Sequence, residues 1–273
     1  MARSRSVLPG FPLSLGVTLV WLTLLLALPL LACAGKVWEL TTTQFLAAVW
    51  TPRTRAAYYV TFSTSFSAAL VDTALGMLLA WVLVRYEFFG KRIIDALVDL
   101  PFALPTSVAG LVYSALYVKK GWYGQFLVPL GIEGAYSKLG IVLVLVFIGL
   151  PFVVRTVQPV LESLDAELEE AATCLGASRW TTFTRVILPA LYPALLTGFT
   201  LTFARAIGEY GSVVFISGNM PYKTEIAPVL IVSKLEAFAY AEATAIAVVL
   251  LGISLVLLLV INALERWSQR HAL

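Results

Sequence analysis

The 273-residue chain is 60% hydrophobic and only 13% charged, with a mean hydropathy of +0.89, a balance that excludes an ordinary soluble globular domain. Its net charge of +3 is scattered along the sequence, so nothing resembles the basic stripe of a nucleic-acid binder. The chain reads as an integral membrane protein, with its length counted in spans of about 20 apolar residues.

The first predicted span covers residues 7 to 35, which carry no charge. Arg3 and Arg5 ahead of it, and Leu30 to Cys33 near its end, have the outline of a lipoprotein signal. The run is long enough to span, however, Leu31 is bulky where such signals place a small residue, and five more apolar segments follow. Residues 56 to 84 carry only Asp72 and form the second span, and residues 96 to 118, carrying only Asp99, form the third. Within the third, Pro101 and Pro105 interrupt the helical hydrogen-bond ladder twice in five residues, with Thr106, Ser107 and Gly110 just beyond. A kinked, hydroxyl-bearing helix suits the wall of a polar pathway, and it equally suits close helix packing.

The fourth span, residues 139 to 154, extends past Arg155 through TVQPVL. The fifth begins at residues 186 to 204 and runs on past Arg205 and Glu209, and residues 243 to 264 form the sixth. No segment alternates with the two-residue period of a barrel strand, so the expected architecture is all-α and polytopic, with six transmembrane helices. Orientation follows the Lys and Arg residues at the span ends. With the N-terminus inside, Arg3, Arg5, Arg85, Lys91, Arg92, Arg155, Arg179, Arg185, Arg266 and Arg270 are cytoplasmic. Lys36, Arg53, Arg55, Lys119, Lys120, Lys138, Lys223 and Lys234 are then outside, and Arg205 lies within a span. Cys33 and Cys174 fall on opposite sides in this topology, so no disulfide is expected between them.

Enzyme signatures are missing. The single histidine is His271, which removes His-based metal sites and His-dependent triads. Residues 88 to 92, FFGKR, lack the leading glycine and the Ser or Thr after Lys91 that a phosphate-binding loop needs. No metal or other cofactor is expected in this chain.

Between the fourth and fifth spans lies SLDAELEEAATCLGASRWTTFTRVILP, residues 163 to 189. Leu161, Leu164, Leu168, Ala171, Ala172 and Leu175 recur at three and four residues, while Asp165, Glu167, Glu169 and Glu170 mostly take the other face. Gly176 is placed to end this helix in a left-handed turn and Ser178 to cap another. Trp180, Phe183 and Ile187 form its apolar stripe until Pro189 opens the next span. The expectation is helix, sharp turn, helix in the cytoplasmic interface. Four carboxylates disfavour an anionic lipid surface and favour a protein groove.

Glu170-Ala171-Ala172, then Gly176, then Val186-Ile187-Leu188-Pro189 resembles the EAA loop of the permease subunits of bacterial ATP-binding-cassette importers, with Val186 where Ile is commoner. DLPFALPTSVAGL at 99 to 111, PFVVRTVQPVLE at 151 to 162 and FARAIGEYG at 203 to 211 are similar to the sulfate and thiosulfate permeases. The LPTSVAGL wording and VLPGFPLSLG at 7 to 16 look more like their T subunit than their W subunit. FARAIGEYG is shared largely with molybdate and tungstate permeases, where Phe is common at the place of Tyr210.

The resemblance implies a MetI-like permease fold filling residues 1 to 273, with core helices at about 56 to 265, an extra N-terminal helix at about 7 to 35 and a coupling loop at 163 to 188. It implies a non-catalytic subunit of an inner-membrane importer for sulfate or thiosulfate, or alternatively molybdate or tungstate. The implied partners are a homologous W-type permease, two copies of a cytoplasmic ATPase that hold ATP and magnesium, and a periplasmic sulfate- or thiosulfate-binding protein. Glu170, Ala171, Ala172, Gly176, Leu188 and Pro189 become the expected ATPase-coupling residues. Arg205, Glu209, Tyr210, Thr106, Ser107 and Arg155 are the expected pathway residues. Arg205 lies about 24 Å along a helix begun at Pro189, and Glu209 four residues on shares its face. The two either form a self-contained pair or offer an oxyanion a transient site, a reading favoured by Gly208 and Gly211 beside the acid. An ion-coupled secondary carrier, the other class considered, has only Asp72 to offer as its mid-span carboxylate.

Overall fold

The computed structural model describes residues 10–271, and every regular element among them is helical. Arg3 and Arg5, counted above toward orientation, lie outside the described residues together with the first three residues of the first predicted span. The side chains of Arg266 and Arg270 also lie outside the description.

Among the described residues, five helices are long and apolar enough to cross a bilayer. The first, α1 (Phe11–Trp38), widens into a π turn at Thr23–Ala27, where the Leu28 amide reaches back to the Thr23 carbonyl. Pro29 follows at once, and a widened turn relieves the clash of its ring with the preceding turn. A short α2 (Thr42–Val49), closed by a capping box between Thr41 and Gln44, leads to α3 (Pro52–Arg85), which has Thr51 as its cap.

The third predicted span is not one helix. It is built as α4 (Lys91–Val98), α5 (Leu100–Ala103) and α6 (Thr106–Tyr117). Leu104 and Pro105 are extended, because the Pro105 ring excludes the helical conformation for the residue before it. The pieces still run along α8 (Lys138–Glu162). Asp95 and Asp99 meet Arg155 of that helix, while Ala109 packs with Ile141 and Val144 near its start. Five long helices and one interrupted segment therefore replace the six continuous helices expected.

After α7 (Gly124–Leu127) and α8 come the loop helix α9 (Ala166–Cys174) and α10 (Arg179–Ile207). The second short helix expected before Pro189 is not separate, since Arg179 to Ile207 is one helix. A second π turn, Phe183–Ile187, carries it past Pro189 as the first carries α1 past Pro29. The helix ends at Ile207, so Glu209 lies beyond it and not within it. Short α11 (Val213–Ile216), α12 (Ala227–Glu236) and the long α13 (Tyr240–His271) complete the chain.

Helices α3, α8 and α10 form the core, and α13 packs on α10 and α12. Helix α1 lies along α13 and leaves its apolar side chains exposed on all faces, as a helix surrounded by hydrocarbon can. Two apolar clusters fill the core. Val60, Ala68, Val144 and Ile148 belong to the half near α11, and Ala80, Val154, Val157 and Leu191 to the half near α9. Asp72 lies between them in sequence and space, wholly buried against Gly149 and Thr202, with the Thr202 hydroxyl bonded to the Gly149 carbonyl at 3.2 Å. Neither Asp72 carboxyl oxygen has a hydrogen-bond partner among the described residues.

Ion pairs gather at the two ends of the core. Arg85 pairs with Glu169 and Arg155 with Asp95 and Asp99 at the α9 end. Arg53 forks onto Glu225 at 2.8 and 2.6 Å, and Lys138 sits over the Tyr59 ring, at the other.

Val153 of α8 is wedged into the core between glycines of both neighbouring helices. A Cβ on Gly76 of α3 would lie 2.7 Å from the Val153 Cβ, and one on Gly198 of α10 would lie 3.1 Å from its Cα. Gly76→Leu is therefore expected to destabilise the detergent-solubilised protein by about 1–3 kcal/mol, read as a lowered thermal unfolding midpoint. Gly252→Ala, where no atom lies within 4 Å, serves as the neutral comparison.

Candidate functional site

Two groups of sequence-predicted residues are assembled by the fold, at different places. The first is the loop between α8 and α10. Helix α9 closes at Gly176, whose φ of +81° is the left-handed conformation that suits glycine. The Gly176 amide bonds the Thr173 carbonyl at 2.9 Å and the Ala177 amide bonds the Ala172 carbonyl at 3.0 Å. Ser178 then caps α10 by accepting from the Thr181 amide at 3.2 Å. The turn thus fixes the angle between α9 and the start of α10 with backbone bonds alone on one side and a hydroxyl on the other.

Glu170 and Ala171 point outward with Gly176 and Pro189 exposed, while Ala172 and Leu188 are half-buried. Large apolar side chains also stand free here: Leu168, Leu175 at 89% exposed and Trp180 at 73% exposed. Exposed leucine and tryptophan between carboxylates is not a finished surface, and small residues such as Ala171 allow another chain to come close. The four acids do not share one face as expected. Glu169 turns inward to pair with Arg85, because the end of α3 lies beneath that side of α9.

The second group lies where two helices are broken. The break at Leu104 and Pro105 puts Thr106 and Ser107 in the first turn of α6, where amides lack intrahelical partners. The break at Gly208 ends α10 before Glu209 to Ser212. The two breaks pack on each other. A Cβ on Gly211 would lie 2.5 Å from the Thr106 Oγ1 and 3.5 Å from the Ser107 amide, and one on Gly110 would strike the Ser212 carbonyl oxygen. Only glycines permit this approach.

Arg205, in the last turn of α10, is ion-paired with Glu209. The acid is 2% exposed and is anchored further by the Ser212 amide and hydroxyl, each 3.1 Å from Oε1. Arg205 is 37% exposed, so the buried acid holds a guanidinium that is partly open to its surroundings. Tyr210 is 36% exposed beside it, and Thr106 and Ser107 are half-buried. The chemistry offered is a fork of charge-assisted donors with hydroxyls nearby, suited to a compact anion with several oxygens.

Arg155 does not join this group. It makes five hydrogen bonds within the chain: to both Asp99 oxygens at 2.8 and 2.7 Å, to Asp95 Oδ1 at 2.6 Å, to the Asp95 carbonyl at 2.8 Å and to Gln158 at 2.7 Å. It clamps the broken segment to α8. Sequence reasoning missed this clamp, although two aspartates four apart on one turn-spaced face, Asp95 and Asp99, were its available signal. It also missed Arg85–Glu169 and Arg53–Glu225, whose members lie 84 and 172 residues apart. Among the described residues no group of three or more His, Cys, Asp or Glu side chains is placed to hold a metal ion.

Residues 72–272 match the family described as binding-protein-dependent transport system inner membrane component. The chain is 53% identical over 256 residues to the sulfate transport system permease protein CysT of Synechocystis sp., covering 94% of this chain and 90% of that one. It is 48% identical over 268 residues to the protein of the same name from Escherichia coli, covering 98% and 97%. The fold is shared with the crystal structure of a bacterial ABC transporter that imports alginate, at a TM-score of 0.76 and 18% identity over 94% of this chain and 96% of that one. It is also shared with an alginate transporter in complex with a pentasaccharide-bound periplasmic protein, at a TM-score of 0.77 and 20% identity, covering 94% and 93%. This chain, a multi-pass membrane protein with helices interrupted where its polar residues gather, belongs to the binding-protein-dependent transport system inner membrane component family.

Proposed function

We propose that the protein is the permease subunit of an ATP-driven importer that moves sulfate or thiosulfate from periplasm to cytoplasm by alternating access. The observation that carries this reading is the meeting of the two helix breaks beside a half-exposed Arg205. In hydrocarbon, irregular backbone is tolerated where it is buried in protein or lines a water-filled cavity, and here it is joined to a cation held by a buried acid. Relatives named as sulfate permeases, at 48% to 53% identity, supply the substrate. Molybdate and tungstate importers remain the second reading only through the FARAIGEYG segment at 203 to 211.

On this reading a second permease, W-type and homologous, covers the Arg205 face and completes the pathway. Two copies of an ATPase subunit hold ATP and magnesium, and one of them docks on Glu170, Ala171, Ala172 and the exposed Leu168, Leu175 and Trp180. A periplasmic binding protein delivers the anion at the opposite end. ATP binds one global state better than the other, which is what shifts the equilibrium, and no bond is made or broken in this chain. Arg205 offers the anion a planar fork, and Glu209 competes for the same guanidinium so that the anion leaves.

The test is uptake of labelled sulfate by the reconstituted complex, with excess molybdate as competitor. Arg205→Lys keeps a cation for Glu209, so the complex should assemble normally while uptake falls several-fold. Arg205→Ala should lower it about tenfold or more, since hydrogen bonds to a charged group contribute about 1.5–3 kcal/mol. Wild-type uptake by an assembled Arg205→Ala complex removes Arg205 from the pathway, and strong inhibition by molybdate favours the second reading.

On this reading both termini lie in the cytoplasm, with α9 inside and Met220 outside. After replacement of the exposed Cys33 and Cys174, Met220→Cys should react with an impermeant thiol reagent applied from outside, and Leu168→Cys should react only after the membrane is opened. The reverse pattern overturns the orientation.

A further inference from the structure

Helices α8 and α10 are covalently continuous with the loop that carries α9, so any movement of the loop reaches them directly. Helix α3, the third member of the core, has no such connection. It packs on α8 and α10 along the core, and it meets α9 itself through its last residue. Arg85 is ion-paired with Glu169 of α9, and both are partly shielded, at 25% and 30% exposed. The Arg85 guanidinium lies over the Trp81 ring at 5.3 Å. Trp81 meets Phe183 edge-on at 5.6 Å, and Phe183 stacks on Trp180 at 5.9 Å. The line of contacts therefore enters α3 from α9 through the ion pair, runs along α3 through the Arg85–Trp81 cation–π contact, and crosses to the π turn of α10 through the Trp81–Phe183 pair. Adjacent acids have divided roles: Glu170 is exposed, whereas Glu169 is committed within the chain. Beside the aromatic members lies a cleft of about 420 Å³, lined by Met77, Leu78 and Trp180 among others. Close packing is relieved there, which gives these rings somewhere to move.

Resting on the coupling role proposed above, we propose that Arg85 is the positioning residue that carries movement of the docked loop into α3. The ion pair and its aromatic stack make α3 follow α9, so that all three core helices move together when the ATPase closes. Without the link, α8 and α10 move and α3 lags, and ATP is hydrolysed without the matching opening of the pathway.

The experiment uses the complete transporter in liposomes, with ATP hydrolysed and labelled sulfate accumulated measured on the same sample. Arg85→Ala and Glu169→Gln should each retain the ATPase subunit through purification while sulfate moved per ATP falls about tenfold, a magnitude usual for coupling between sites. The double variant should be no worse than either single one, because the link is already cut. Arg85→Lys retains charge but not the planar stack and should fall between wild type and Arg85→Ala, which keeps the proposal testable if the alanine variant does not fold into the membrane. A wild-type ratio of sulfate to ATP in assembled Arg85→Ala or Arg85→Lys overturns the proposal, as do additive losses in the double variant. Loss of the ATPase from Arg85→Ala also overturns it, since Arg85 would then belong to the docking surface. Gly176→Val separates the two readings: it distorts the loop turn and should lose the ATPase itself, and its full activity would strike the docking assignment on which this link rests.

Discussion

A helix that stops inside hydrocarbon leaves amides and carbonyls that no lipid can satisfy, and the whole arrangement of this protein answers that constraint. Its two interrupted segments do not face lipid separately. The turn after Pro105 is packed on the turn after Gly208, with Gly110 and Gly211 removing the side-chain atoms that would hold them apart. Glu209, nearly fully buried, takes the Ser212 amide and hydroxyl on one oxygen and Arg205 on the other, so the broken backbone and the cation are stabilised by the same carboxylate. The polar site is thus a consequence of how the breaks are sealed.

Guanidinium–carboxylate pairs serve the same purpose elsewhere. Arg155 binds the loose α4–α5 segment to α8, and Arg53 with Glu225 fastens the start of α3 to the stretch before α12. Arg85 joins α3 to α9. At Arg155 and Arg53 the planar fork meets a carboxylate through two donors, whereas Arg85 reaches Glu169 through one nitrogen and lays its guanidinium over the Trp81 ring. Between these anchored ends the core is mainly apolar, with Asp72, Gly149 and Thr202 forming a buried polar layer between its two larger clusters. The two apolar clusters on either side match the two functions proposed, one half adjoining the coupling loop and the other the paired breaks.

Much of this was legible in the sequence because it is local. Long uncharged runs gave five of the spans, and Gly176 followed by Ser178 gave the loop turn. Pro101 and Pro105 announced trouble in the third span, yet its hydropathy still reads as one continuous helix. Apolar composition does not record whether a ladder is kept, and the extended Leu104 and Pro105 settled it. Pro189 misled in the opposite direction, since proline so often opens a helix, but a π turn let α10 pass through it. Glu169 could not be separated from Glu170 by periodicity, because its inward turn depends on Arg85, 84 residues earlier. Long-range pairs of this kind leave no trace in local spacing.

The central claim is that the paired breaks line a water-filled pathway in the assembled transporter. The most direct measurement is the reaction of small, water-soluble thiol reagents with Thr106→Cys and Tyr210→Cys in a background lacking Cys33 and Cys174. Leu255→Cys on the exposed face of α13 provides the lipid-facing reference. The account predicts that both site cysteines react, that sulfate or trapped ATP changes their rates together, and that Leu255→Cys stays unreactive throughout. Site cysteines as inert as the reference, in every nucleotide state, would contradict it.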